Sequence, residues 1–274
     1  MNNPQSLRLS FLCDALQQRT IRITQWLMLL ACFCLSGVTV TAAEPGVHER
    51  HFVQALELFD QAKSTDDYRA SARELELIVA DGVRSGAVYY NLGNAWFRAG
   101  EFGRAILNYR KARPYRPRDP YLEANLQQAL ASAPGRLQDP PAPWWSHVLF
   151  WTDWLSAPAK VRLASSSLGL SAVLLVLAIV LRRRSLISLT VVVFVLGVIF
   201  SVECLLNDPT LASRAVIVTE TTARKGTGKD YEPAFDQPLR DGAEFTVLTE
   251  TGDWVFGHFE GIGDGWVRKD DVAR

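Results

Sequence analysis

The chain has 274 residues, 48% of them hydrophobic, and its 29 basic and 29 acidic side chains give a formal net charge of zero. This length is enough for two small folded units, and the balanced charge argues against nucleic acid as a partner. Three of the four cysteines lie before residue 43, which leaves Cys204 after it. A disulfide framework and a thiolate metal site are therefore excluded from the rest of the chain, and we expect Cys204 to pack at a membrane edge.

The first 43 residues have the order typical of a secretory signal. Two arginines precede an apolar run from Trp26 to Val40, and small residues follow up to Ala43. This order predicts a signal peptide over residues 1–43, with cleavage after Ala43. An uncleaved anchor is one alternative, and a lipoprotein signal ending at Cys32 is another.

Residues 89–117, YYNLGNAWFRAGEFGRAILNYRKARPYRP, alternate small and aromatic residues at helical spacings. Small residues such as Gly93 and Ala105 let two antiparallel helices approach closely, and the aromatic rings fill the space around them. Residues 99–101 are the predicted turn, and Pro117 is predicted to end the second helix. The spacing resembles the 34-residue tetratricopeptide repeat at nearly every defining position.

Shifting the pattern by one repeat tests the resemblance, because a solenoid unit does not stand alone. The upstream positions are degenerate but in phase, with Tyr68 in place of Phe102 and Leu75 in place of Tyr109. Downstream, an amphipathic segment from Asp119 predicts a capping helix. We therefore expect residues 44–133 to form an all-α solenoid of about two repeats and a cap.

The inner face of such a solenoid commonly binds an extended peptide. The positions that the resemblance assigns to this face are Tyr90, Asn91, Asn94, Phe97, Arg98, Asn125 and Gln128. Asn94 and Asn125 match asparagines by which some repeats of the family clamp a peptide's carboxy-terminus, although Tyr90 replaces the expected lysine. The alternative is that these asparagines only tie helix ends together.

Residues 134–160 are rich in proline and tryptophan. On a helix, Trp144, Val148, Trp151 and Leu155 would share one stripe, and tryptophan favours the lipid headgroup level. We predict an interfacial helix here, with a hydrophobic linker packed on a domain as the alternative.

Residues 161–206 contain two uncharged runs, Leu163–Leu181 and Ser185–Val202, separated by three arginines. Each run is long enough to cross a bilayer, so the pair predicts a transmembrane hairpin. The arginines place the loop in the cytoplasm by the positive-inside rule, and both flanking segments then lie outside it.

Residues 207–274 contain short alternating or β-branched runs separated by glycine and aspartate, which is typical of a small antiparallel barrel. The segments PLRDGAEFTVLTETGDWVFGHF and DGWVRKDDVAR resemble the bacterial SH3-like domain. We expect Trp254 and Trp266 to pack in the core or at its rim, with a ligand platform as the alternative.

The order of signal, tetratricopeptide repeats, two-span hairpin and SH3-like domain resembles the BatE-type proteins of Bat aerotolerance operons. The resemblance implies a bacterial inner-membrane protein with both folded domains in the periplasm. It also implies partners among von Willebrand A-domain membrane proteins and a MoxR-type ATPase system. The function expected is a membrane-tethered scaffold, and the rival is a protein that binds peptidoglycan through the SH3-like domain.

No catalytic, cofactor or metal site is predicted. Only four histidines occur, at dispersed positions, and the chain has no nucleophile elbow, zinc helix motif or phosphate loop. His48 and His51 lie one turn apart but lack further ligands nearby. We therefore expect a binding protein and not an enzyme.

Overall fold

The computed structural model describes residues 46–138, 154–206 and 214–274. Within these ranges the chain is mostly helical, with one five-stranded antiparallel sheet. The helices are α1 (Val47–Gln61), α2 (Thr65–Ala80), α3 (Gly86–Arg98), α4 (Phe102–Ala112), α5 (Pro120–Ser132), α6 (Ala157–Leu181) and α7 (Arg184–Leu206). The predicted signal peptide, residues 1–43, lies outside the described residues.

Helices α1 to α4 form two antiparallel pairs whose consecutive members pack against one another. In the first pair, Phe59 near the end of α1 meets Tyr68 near the start of α2, with ring centroids 5.2 Å apart. Ser64 begins α2 with a capping box, in which its hydroxyl accepts from the Asp67 amide and the Asp67 carboxylate accepts from the Ser64 amide. This local hydrogen bonding fixes the start of the helix.

In the second pair, α3 and α4 approach closely where Gly93 faces the ring of Tyr109. A Cβ atom on Gly93 would lie 2.6 Å from this ring, which is too close for any other residue without a shift. The predicted turn at residues 99–101 is confirmed, and Gly100 adopts a left-handed φ of 82° there. The prediction that Pro117 ends the second helix was wrong, because α4 ends five residues earlier, at Ala112.

Helix α5 follows the two helix pairs and packs against α4, and the amphipathic pattern from Asp119 predicted this helix. Asp119 caps its first turn by accepting from the amides of Tyr121 and Leu122, and Pro120 occupies the first helical position. The apolar face is buried against the rest of the helical core. Its buried leucines are Leu122, Leu126 and Leu130.

Helices α6 and α7 pack against each other and are long and apolar enough to cross a membrane. One close contact lies at Gly197, where a Cβ atom would be 2.9 Å from the Leu168 side chain. Lys160 near the start of α6 and Glu203 near the end of α7 form an almost fully buried ion pair. The distance from Lys160 Nζ to Glu203 Oε1 is 2.5 Å. An enclosed pair of this kind holds two helices in register, since separating the charges is costly.

The sheet has the strand order β4-β3-β2-β1-β5 and is antiparallel throughout. Its strands are β1 (Arg214–Ile217), β2 (Glu244–Thr251), β3 (Trp254–Phe259), β4 (Gly263–Arg268) and β5 (Val272–Ala273). Phe245 and Phe259 stack at 4.5 Å in the centre of its core. Gly257 makes room for this stack, because a Cβ atom there would lie 2.2 Å from the Phe245 ring.

The sheet packs directly on α4, a contact that the sequence did not predict. Asp241 accepts a hydrogen bond of 3.1 Å from the amide of Gly103 in the first turn of α4, where no side chain of α4 itself provides a cap. Burial raises the pKa of Asp241, although the α4 amides oppose this effect. Nearby, Arg110 and Glu244 form a half-buried ion pair of 3.0 Å.

Residues 134–138, the start of the predicted linker, also pack on the sheet. The amide of Gly135 donates to the carbonyl of Asp241 at 2.9 Å, and Leu137 packs on the sheet core. The linker's end is helical, because α6 begins at Ala157. Residues 139–153, and with them Trp144, Val148 and Trp151 of the predicted interfacial stripe, lie outside the described residues.

Candidate functional site

The seven residues predicted to line the inner face are on two neighbouring helices. Five of them lie on α3 and two on α5, and these helices touch. None of the seven is fully buried: Arg98 and Gln128 are exposed, and the other five are half-buried. The fold therefore brings the predicted residues together on a surface that is partly open to solvent.

Asn94 is the centre of a hydrogen-bond network on this surface. Its Oδ1 atom accepts from the Tyr109 hydroxyl at 2.8 Å and from the Asn125 amide at 2.9 Å. The Asn125 amide also donates to the Tyr90 hydroxyl at 3.1 Å. These bonds join α3, α4 and α5, which favours the reading that the two asparagines tie helices together. They also hold three polar side chains in fixed positions at the surface.

An arginine that the sequence did not single out extends the surface. The Arg116 guanidinium lies over the Tyr90 ring, 4.3 Å from its centroid, and pairs with Asp119 at 2.5 Å. Its place beside Tyr90 depends on the turn after α4, so repeat spacing alone could not locate it. It supplies a cation directly beside Tyr90 on this surface.

The aromatic rings around the network are packed and not free. The ring centroids of Tyr90 and Tyr109 are 6.2 Å apart, and the rings of Phe97 and Phe102 meet edge-on with centroids 5.7 Å apart. Burial, with Tyr90 as a second cause, raises the pKa of Tyr109 far above the physiological range. The Tyr109 hydroxyl therefore keeps its proton and remains a donor to Asn94.

The arrangement provides amide, phenol and guanidinium groups, which recognise a ligand by hydrogen bonds and charge. His48 and His51 on α1 are not part of this surface. His51 pairs with Glu74 of α2 at 2.7 Å, and His48 pairs with Asp81, just after α2, at 3.1 Å. Across residues 46–138, 154–206 and 214–274, no group of three histidine, cysteine, aspartate or glutamate residues is placed to hold a metal ion.

Comparison with protein-family models and with curated proteins found no match for this chain. The surface on α3 and α5 and the two apolar helices are therefore the features from which a function is inferred.

Proposed function

We propose that this protein is a membrane-tethered scaffold that binds protein partners through helices α1 to α5. In this proposal α1 to α5 are two tetratricopeptide repeats and a capping helix, α6 and α7 are the transmembrane hairpin, and the sheet is an SH3-like barrel. Two observations support the repeats. Helices α1 to α4 form two antiparallel pairs, and Gly93, which makes the close contact in the second pair, stands at the position where the repeat pattern has glycine.

The observation that carries the proposal is a strip of polar side chains along α3 and α5. The α3–α5 strip consists of Tyr90, Asn94, Arg98, Asn125 and Gln128. Hydrogen bonds fix its centre, so a ligand would not have to order those side chains on binding. Two of its members, Arg98 and Gln128, are exposed, and Arg98 has no ion pair among the residues described.

The ligand that fits this strip is an extended peptide segment of a partner. Amide groups satisfy the hydrogen bonds of an exposed backbone, and the cations of Arg98 and Arg116 attract an acidic side chain or a terminal carboxylate. The resemblance to BatE-type proteins suggests the partner class, which is the von Willebrand A-domain membrane proteins that act with a MoxR-type ATPase. We place the complex at the inner membrane, with the strip in the periplasm.

The test is partner capture from native membranes with the full-length chain. Arg98→Gln combined with Gln128→Ala removes both exposed members of the strip and leaves the Asn94 network in place. Removing true anchors costs more than about 1 kcal/mol, so we expect recovery of a von Willebrand A-domain partner to fall about fivefold or more.

A matched control uses the same residue types outside the strip. Arg73 is an exposed arginine on α2, and Gln127 is exposed beside Gln128 but bonds to Glu123 at 3.0 Å instead. Arg73→Gln combined with Gln127→Ala should leave recovery unchanged. If both double variants recover the partner equally well, the strip does not take part in partner binding.

A further inference from the structure

The sheet domain contains a cleft of about 330 Å³ that is separate from the α3–α5 strip. Two parts of the chain form it: the long connection from β1 to β2, and the ends of β3 and β4 where they pair. Its lining residues are Glu220, Thr221, Thr222, Arg224, Lys229, Pro238, Trp254 and Arg268.

The backbone holds the walls of the cleft in place. Arg224 and Trp266 exchange two backbone hydrogen bonds of 2.8 Å, which pin the connection to β4. Thr221 and Leu239 exchange two more, of 2.9 and 2.7 Å, which close the connection on itself. The cleft is therefore a formed feature of the domain and does not require a loop to move.

The lining combines three cations with one indole. Trp254 is half-buried and lies directly opposite Arg268 in the β3–β4 pairing, so its ring forms an apolar wall beside a guanidinium. Lys229 is exposed and has no ion pair within the described parts of the chain. Arg268 shares its charge with Asp270 at 2.7 Å, and Arg224 donates to the Tyr231 carbonyl at 2.8 Å. The balance of charge favours an anionic ligand.

The single carboxylate of the lining narrows the class of anion. Glu220 belongs to the lining and would repel a phosphate dianion more strongly than it repels one carboxylate. A carboxylate side chain also accepts hydrogen bonds from peptide N–H groups. A peptide carrying a carboxylate satisfies both kinds of group, and its aliphatic parts can pack on Trp254 and Pro238.

We propose that this cleft is a second peptide-binding site, which recognises a carboxylate through Lys229 and Arg268 and packs the adjoining chain on Trp254. The site is independent of the α3–α5 strip and does not require the scaffold function to be correct. Trp254 is half-buried at the rim of the sheet core, which fits the sequence expectation, and from there its indole lines the cleft.

The test uses the full-length chain in lipid nanodiscs, labelled with 5-fluorotryptophan and observed by 19F NMR. The Trp254 resonance is assigned by its loss in Trp254→Phe. The probes are the peptide Gly-Ala-Ala-Glu, the analogue Gly-Ala-Ala-Gln-amide without carboxylates, and inorganic phosphate. We expect the acidic peptide to shift the Trp254 resonance saturably, and the amide analogue to bind at least about tenfold more weakly.

Variants then locate the binding. Lys229→Gln combined with Arg268→Gln should weaken the acidic peptide about tenfold or more. Lys269→Gln should not, because Lys269 is a cation of the same domain that pairs with Glu250 at 3.2 Å and does not line the cleft. Soluble cell-wall fragments, which carry both peptide bonds and carboxylates, should act like the acidic peptide and respond to the same double variant.

Three results would overturn the proposal. Equal binding of the amide analogue would show that no carboxylate is recognised, and stronger binding of phosphate would show a general anion site. Loss of the Trp254 shift in Arg98→Gln would place the peptide on the α3–α5 strip instead. Partner capture is measured separately with the strip variants, so failure here is distinguishable from failure of the scaffold proposal.

Discussion

At the scale of single residues, Asn94 is the side chain on which the helical surface depends. It accepts hydrogen bonds from both Tyr109 and Asn125, and Tyr109 is only 1% exposed. Asn94→Ala would leave a buried hydroxyl without its acceptor, which costs about 1–3 kcal/mol. We expect the variant to lower the thermal midpoint of the full-length protein in detergent, measured by near-ultraviolet circular dichroism.

The control for this prediction is Asn91→Ala, since Asn91 is half-buried on the same helix but is not part of the network. Tyr109→Phe removes the donor, so its combination with Asn94→Ala should cost less than the sum of the two single changes. Additive costs would show that the two side chains do not depend on each other.

The spacing pattern singled out seven residues, which lie on the neighbouring helices α3 and α5. It did not show that Tyr109 and Asn94 are bonded to each other, or that Arg116 covers Tyr90. Repeat positions report which face of a helix a residue lies on. Hydrogen bonds between side chains depend also on rotamers and on the turn after α4, and a spacing pattern holds no information about either.

At the scale of elements, the close approach of α3 and α4 at Gly93 determines how the second helix pair packs. A Cβ atom there would meet the Tyr109 ring at 2.6 Å, so Gly93→Ala must displace a buried ring. Overpacking of this kind costs about 1–3 kcal/mol, more than the helix propensity that alanine adds. We expect a lower thermal midpoint for the full-length variant.

Gly169 is the matched control, because it is also a helical glycine but has open space around its Cβ position. Gly169→Ala should leave the midpoint unchanged or slightly raised. If Gly93→Ala behaves in the same way, the contact with Tyr109 is not a tight one.

The elements that the sequence predicted well have strong local signals. The start of α5 follows from Asp119 and Pro120, and the turn at residues 99–101 follows from Gly100. Pro117 did not mark the end of α4, because the helix already ends several residues before it. Within the α6–α7 pair, no local signal marks Gly197 of α7 as the glycine that meets Leu168, while Gly169 of α6 has open space around its Cβ position.

At the scale of the whole molecule, the sheet and the helical region pack together and are not independent modules. Asp241 caps α4, and a Cβ atom on Gly103 would lie 2.6 Å from the carbonyl of Ile217 in β1. These residues are separated by more than a hundred positions, so no local pattern could predict the contact. Deleting residues 214–274 would uncover this face of α4, and point substitutions in the full chain are therefore the cleaner test of each site.

The proposed topology predicts which surfaces are accessible from outside the cell's inner membrane. Single cysteines at Gln127, Leu248 and Arg183 occupy exposed positions in the helical region, the sheet and the loop between α6 and α7. In a background without native cysteines, an impermeant maleimide should label the first two in intact spheroplasts. The third should react only after permeabilisation, because positively charged loops stay in the cytoplasm. Labelling of Arg183→Cys in intact spheroplasts would contradict the proposed topology.

The central claim is that partners bind on the α3–α5 strip, and site-specific photo-crosslinking in living cells tests it most directly. Gln128 and Gln127 are adjacent, exposed and of the same type, but only Gln128 belongs to the strip. With a photoreactive amino acid at each position in turn, the account predicts a crosslink to a von Willebrand A-domain membrane protein from position 128 and none from position 127. Equal crosslinking at both positions, or none at position 128 in cells that make the partner, would contradict it.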